Sequence, residues 1–253
     1  MDGGCTGFPS TLVSINGKSV IAVIQVRAGS TRLPKKALLE IAGKPSIYYV
    51  IERVKHSQYI DQIILATTDL LQDDRLAVIG KELNVKVFRG SESDVLCRFV
   101  KCLNEEDKRY DLLVRGSGDN FLVCASVIDA SLEKLVESDL DIVNPFIKPT
   151  FPFGSGAEVS TVSTLFKIEE LTKHKEARYR EHIFAFCYEN PSLFKFCTLN
   201  APPALARPKL NISVDKIEDF KKVKAFFESL PIEKRLICEV EEVVKYFDQY
   251  EGH

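Results

Sequence analysis

Four cationic side chains, Arg27, Arg32, Lys35 and Lys36, fall within ten residues of the segment QVRAGSTRLPKKAL, directly after the apolar run SVIAVI. Such a loop has the parts of a polyphosphate cradle. Gly29 permits close backbone approach, Ser30 and Thr31 add hydroxyl and amide donors, and Arg27, Arg32 and a lysine supply charge-assisted bonds to phosphate oxygens. The backbone of 27–30, Ala28 included, is expected to touch the same anion. The pattern is neither the G-x-x-x-x-G-K-[ST] phosphate loop nor the G-x-G-x-x-G dinucleotide fingerprint. A solvated basic turn is the plainer alternative, but a position behind a buried first strand favours phosphate.

Two carboxylates complete the set. Asp119 closes RGSGD and Asp215 follows NISV. Either one alone reads as a helix cap or an Asx-turn. Beside an anion-binding loop they read as an Mg²⁺ pair, because Mg²⁺ takes one or two carboxylates together with phosphate oxygens.

These groups can share one site only if the fold brings their loops together. Short β-branched runs alternate with amphipathic stretches, predicting strands at 20–26, 62–68, 85–88, 111–115 and 141–145 and helices at 45–57, 73–83, 93–106 and 126–138. That rhythm means βαβ units, hence an α/β fold with a mostly parallel sheet flanked by helices. The basic loop, RGSGD and Asp215 then all lie past the carboxyl ends of strands, where open α/β sheets bind ligands. After Pro145 the pattern breaks at NPFIKPTFPFGSG, and the remainder predicts strands at AEVSTV, LFKFCTL and NISV and helices near 163–172, 178–189 and at the C-terminal end. The expected organisation is an extension at 1–17 and one domain at 18–253, with an irregular arm at about 145–200.

Composition excludes several classes. Lys and Arg number 34 against 36 Asp and Glu, so the formal charge of −2 offers no global attraction for nucleic acid or an anionic membrane. Seven cysteines are scattered without a C-x-x-C pair or a His cluster, which reads as reduced thiols in a cytoplasmic protein. No apolar stretch is long enough to span a bilayer and no secretory signal opens the chain.

The segments QVRAGSTRLPKKALLEIAGKPSIYYVIERV, IILATTD, VFRGSESDVLCRF, GDNFLV and VDKIEDF, taken in order, closely resemble the cytidylyltransferases of the spore-coat-polysaccharide F type, relatives of the CMP-KDO and CMP-sialic acid synthetases. The resemblance runs from about residue 20 to about 227. It implies a nucleotide-diphospho-sugar transferase (Rossmann-like) fold, CTP and Mg²⁺, and transfer of CMP to a sugar with release of pyrophosphate. By position, Arg27, Arg32 and Lys36 are implied to hold the triphosphate, Asp119 and Asp215 the Mg²⁺, and Arg98 to contact the nucleotide. Lys35 stands where the family usually has Gly. Gly156, Ala157 and Glu158 replace the usual Asp-Val-Glu, leaving Glu158 on the acceptor side. Arg180, Glu181 and His182 match an R-E-H segment and are candidate acceptor contacts.

An acidic sugar is the acceptor that the resemblance implies, and a homodimer joined through Phe146, Phe151 and Phe153 of the arm is the expected assembly. Two other classes stay open: a glycosyltransferase using a nucleotide-sugar, for which Asp139-Leu140-Asp141 supplies the letters D-x-D, and a non-catalytic nucleotide-binding protein.

Overall fold

A computed structural model describes residues 13–251 of the chain. The expected extension at 1–17 lies mostly outside these residues. Its last part is tied down: Val13 donates its backbone N–H to Gln58 O, and Ile15 is buried and bridges to Lys18 across a left-handed turn at Asn16 and Gly17.

Among the described residues one seven-stranded sheet organises the molecule, with strand order β5-β4-β1-β6-β8-β7-β9. The strands are β1 (Val20–Gln25), β4 (Gln62–Thr68), β5 (Lys86–Gly90), β6 (Leu112–Ser117), β7 (Ile142–Val143), β8 (Glu158–Thr161) and β9 (Phe196–Cys197). β5, β4, β1 and β6 run parallel, whereas β8 is antiparallel to both its neighbours. From β1 the chain moves outward to β4 and β5, then returns to lay β6 on the other side of β1. The order reverses between β1 and β6, and the loops leaving these two strands part there and open a crevice.

Buried strands explain the apolar runs. Val20, Ala22 and Ile24 of β1 enter one core, while Ile21 and Val23 enter another on the opposite face, as a period of two requires. The first core is covered by α1 (Ser46–Val54), α2 (Asp74–Glu82), α4 (Ala125–Glu137), α8 (Ile217–Ser229) and α9 (Val240–Glu251). The second is covered by α3 (Val95–Asn104), α5 (Val162–Thr172), α6 (Ala177–Glu181) and α7 (Ala185–Glu189). Asp94 caps α3 by accepting from Cys97 N, which is why the helix starts where its acidic residue stands.

Arg53 lies in the first core at 2% exposure. Its guanidinium donates to the carbonyls of Val123 (2.8 Å), Arg235 (3.0 Å) and Cys238 (2.6 Å), joining α1 to the loop before α4 and to the turn before α9. Three carbonyl acceptors replace the water that a buried cation loses.

Several expected elements differ. NISV forms no strand: Asn211 makes a single bridge to Phe153, and Val214 N donates to Asp119 O at 3.1 Å, so tertiary bonds rather than a ladder hold the segment extended. LFKFCTL contributes only two strand residues, and the helix expected at 178–189 breaks at His182 into α6 and α7. A hairpin of β2 (Glu40–Ile41) and β3 (Lys44–Pro45), turned by Ala42 and Gly43 at positive φ, was not anticipated. The arm is stitched to the core: Phe153 N donates to Leu210 O and Ile212 N to Phe153 O. Gly154, at φ 99°, lies where a Cβ would sit 2.8 Å from Ser213 N, so glycine is required for that approach. Phe151 is buried rather than exposed, and Phe146 and Phe153 pack on each other with ring centroids 4.8 Å apart.

The cysteines among the described residues are unpaired. No helix among the described residues is long and apolar enough to cross a membrane.

Candidate active site

The loop that follows β1 is shaped from beneath by a carboxylate. Asp73 is fully buried and accepts from Ala28 N at 2.7 Å and from the hydroxyls of Thr67 and Thr68 at the end of β4. Ala28 O in turn accepts from Lys35 N and Ser30 N, folding the loop back on itself. Asp73 was read from sequence only as part of a helix start, because its bond to residue 28 has no local signature. Lys35 closes the turn in the left-handed region at φ 58°, which accounts for the glycine that the resemblance places there. Its side chain is exposed and lies outside the cleft lining, so it is the spare cation of the four.

The other three line a cleft of about 590 Å³ at the ends of β1 and β6. Lys36 Nζ donates to Asp119 Oδ2 at 2.7 Å and to Val214 O at 2.8 Å, and lies 3.4 Å from Asp215 Oδ1. Arg32 grips Asp215 with both terminal nitrogens, at 3.0 and 2.9 Å. Arg27 pairs with Glu92 at 3.3 Å. Gly29 lies beneath the ends of Gln72 and Glu92, which a Cβ would approach to 2.8 and 2.9 Å.

Residues 96 positions apart in sequence thus meet on one ammonium. Two backbone features bring them together: the Val214 N to Asp119 O bond, and Asp219, whose carboxylate accepts from Asp215 N and Lys216 N at the start of α8. Burial pushes the Asp119 carboxyl up, but the Lys36 charge and bond together with the Ser117 hydroxyl outweigh it and hold the group below the ordinary carboxylate value.

Asp119 and Asp215 fit Mg²⁺. Both converge on one point that already holds a cation, the Lys36 ammonium, and both offer the hard oxygen donors that Mg²⁺ takes. Among the described residues no group of three or more His, Cys, Asp or Glu comes together, so phosphate and water oxygens would complete such a shell.

Arg98 of α3 is buried. It is 3% exposed and lines the cleft. Its Nη1 donates to Ser91 O, its Nε has no partner, and no carboxylate pairs with it among the described residues. Burial, then the nearby Arg27 charge, lower its pKa from the ordinary arginine value.

The remaining candidates divide. Glu181 and His182 line the cleft and are exposed. Arg180 does not line it: its guanidinium is taken up by Asp94, at 2.9 to 3.0 Å, and by Glu169, which fixes α6 to the cap of α3. Glu158 lines the cleft with both oxygens engaged, one by Arg115 and the other by Asn144 Nδ2 (2.8 Å) and Tyr188 OH (2.7 Å). Arg115 was missed; its position on β6, two residues ahead of Ser117 and on the same face, was the available signal. The D-x-D letters do not reach the cleft: the Asp139 side chain is 96% exposed and Asp141 binds Lys195 N.

The mostly parallel sheet flanked by helices, with a basic loop and a carboxylate pair at its switch point, has the nucleotide-diphospho-sugar transferase fold. The cytidylyltransferase family model matches residues 21–251, and the chain belongs to that family. It is 35% identical over 226 residues to an uncharacterized protein of Methanocaldococcus jannaschii, covering 87% of this chain and 89% of that one. It is 30% identical over 216 residues to the spore coat polysaccharide biosynthesis protein SpsF of Bacillus subtilis, covering 83% and 86%. The solved structure of a cytidylyltransferase from Leptospira borgpetersenii superposes with TM-score 0.82 at 27% identity, covering 92% and 96% of the two chains.

Proposed function

We propose that the protein transfers CMP from CTP to a sugar hydroxyl, with release of pyrophosphate, in the cytoplasm and with Mg²⁺. The observation that carries this is the meeting of Lys36, Arg32, Asp119 and Asp215 at the mouth of the β1–β6 crevice. In that cluster two cations and two carboxylates neutralise one another. A triphosphate would take Arg32, Lys36 and Arg27, freeing the carboxylates. When bound between Asp119 and Asp215, Mg²⁺ would supply charge neutralisation on the phosphates.

The residues of the chain then have distinct tasks. Arg32 and Lys36 hold the phosphates in line, and Arg98, buried and bonded only through Nη1, binds the nucleotide. Asp73 keeps the Ala28 amide fixed, so binding would re-pair side chains on a loop backbone that is already in place. Among the described residues no D-x-D motif lines the cleft, which disfavours a glycosyltransferase reading. Assembly as a homodimer is a separate proposal, supported now only by exposed Phe153 and tested by light scattering at micromolar concentration.

Substitution of the acid pair tests the core of the reading. Asp119→Asn and Asp215→Asn should each lower CTP-dependent pyrophosphate release by several orders of magnitude while weakening CTP binding much less. If both act on one ion, the double variant should be little worse than either single one. Near-wild-type turnover of Asp215→Asn would sink the proposal.

A further inference from the structure

The turn between β5 and α3 carries polar groups that the phosphate loop leaves unused. Arg98, on the first turn of α3, reaches back along the chain to donate Nη1 to Ser91 O. Its stem passes Gly90, where a Cβ would stand 3.3 Å from Arg98 Cγ. Nε and Nη2 form the other edge of the guanidinium, and neither has a partner among the described residues. Burial and Arg27 disfavour the Arg98 charge and Asp73 and Glu92 favour it, yet neither carboxylate bonds it. Glu92 follows Ser91 directly, so its carboxylate stands on the same turn. Its Oε1 accepts from Arg27 at 3.3 Å, and its Oε2 has no partner among the described residues. Arg27, Glu92, Val95 and Arg98 all line the cleft.

A buried donor left without an acceptor is costly, and a ligand that supplies one recovers that cost. The groups state what such a ligand must offer: two adjacent acceptors for Nε and Nη2, and beside them a donor for Glu92. Cytosine shows that order along its edge, with acceptors at O2 and N3 and a donor at the N4 amine. Uracil shows acceptor, donor, acceptor, so its N3–H would meet the arginine's donors and its O4 the carboxylate. Val95, 7% exposed, gives the face of a ring apolar contact at the start of α3. A phosphate could take the same arginine edge, but a carboxylate one residue from Ser91 opposes a second anion there. When Arg27 turns to the triphosphate, Glu92 loses that pairing, and the N4 amine replaces the donor it gives up.

We infer that Arg98 and Glu92 select the base: Arg98 donates from Nε and Nη2 to cytosine O2 and N3, and Glu92 Oε2 accepts from the N4 amine. This rests on the reading of the cleft as a site of CMP transfer from CTP.

The test uses the whole protein with Mg²⁺ and isothermal titration of CTP, UTP and inorganic tripolyphosphate, which has the phosphates and no base. Wild type should bind CTP at least tenfold more tightly than UTP. Glu92→Gln keeps the size, and its amide can turn to serve either base, so the preference for CTP over UTP should fall at least fivefold. Release of Arg27 in that variant acts on all three ligands alike, which makes the ratio the quantity to read. Arg98→Met should weaken CTP at least tenfold and leave tripolyphosphate unchanged.

Equal affinity of wild type for CTP and UTP would overturn the inference without any variant. An unchanged ratio in Glu92→Gln, a substitution at a side chain 36% exposed, would do the same even if Arg98→Met failed to fold. Equal losses of CTP, UTP and tripolyphosphate in Arg98→Met would make Arg98 a phosphate contact and refute its role at the base. A wild-type protein that binds none of the three would refute the nucleotide reading itself, and the base assignment would fall with it.

Discussion

Replacing Lys36 by methionine removes the ammonium on which the two aspartates converge and leaves a side chain of similar length. The bonds lost are those to Asp119 at 2.7 Å and Val214 O at 2.8 Å, with the weaker contact to Asp215 at 3.4 Å. A hydrogen bond to a charged group contributes about 1.5 to 3 kcal/mol, and exposures of 13% for Lys36 and 28% for Asp119 screen it only in part. Arg32 stays on Asp215 and limits the damage, so the net loss should be about 2 kcal/mol. For a domain of this size that lowers Tm by roughly 4 to 8 °C.

The same substitution separates two roles by calorimetry. CTP with Mg²⁺ should bind roughly ten- to a hundred-fold more weakly, since one phosphate contact is gone. Mg²⁺ alone should do the opposite: wild type should give no measurable binding because Lys36 holds the carboxylates, whereas the variant should bind the metal weakly. An unchanged Tm together with unchanged CTP affinity would refute the assignment of Lys36 as both clamp and cradle.

Lys35→Gly should raise stability by roughly 0.5 to 1 kcal/mol in urea titration, because relief of the left-handed strain exceeds the added chain entropy, and CTP affinity should not move. Arg180→Ala should lower stability by about 2 kcal/mol, read as a drop in the urea midpoint, since two carboxylates lose one shared guanidinium; Arg180→Lys should restore only part of it. The Asp119 carboxyl is depressed in the folded state, so its contribution is complete above the ordinary value of 3.8 and is lost as pH falls through the lower native value. Urea stability measured between pH 5 and 2.5 should therefore fall less steeply in Asp119→Asn than in wild type.

Strands 20–26, 62–68 and 111–115 were legible because each is buried on both faces and must be apolar along its length, which gives a run that no surface loop imitates. The basic loop and both aspartates were legible because their types are costly to group without an anion or metal. Asp73 was not, since it reaches residue 28 only through the β1–β4 pairing. The NISV segment has strand composition but lies where the arm and Asp119 supply single bonds in place of a ladder. Arg115 looked like the last residue of a strand; what gives it meaning is the antiparallel β8, which sets Glu158 directly opposite.

Arg53 places a condition on how the protein can be made. Two of its three carbonyl partners lie 182 and 185 residues further along the chain, at Arg235 and Cys238, so they leave the ribosome long after α1. Until they arrive, packing α1 against the sheet would bury a cation with most of its acceptors missing, at a cost of several kcal/mol. The first half of the chain holds the central strands, yet it cannot complete its own core during synthesis. A chain cut short before Arg235 would therefore lack two of the three acceptors that let α1 dock, and the first core should stay open even though its central strands are all present.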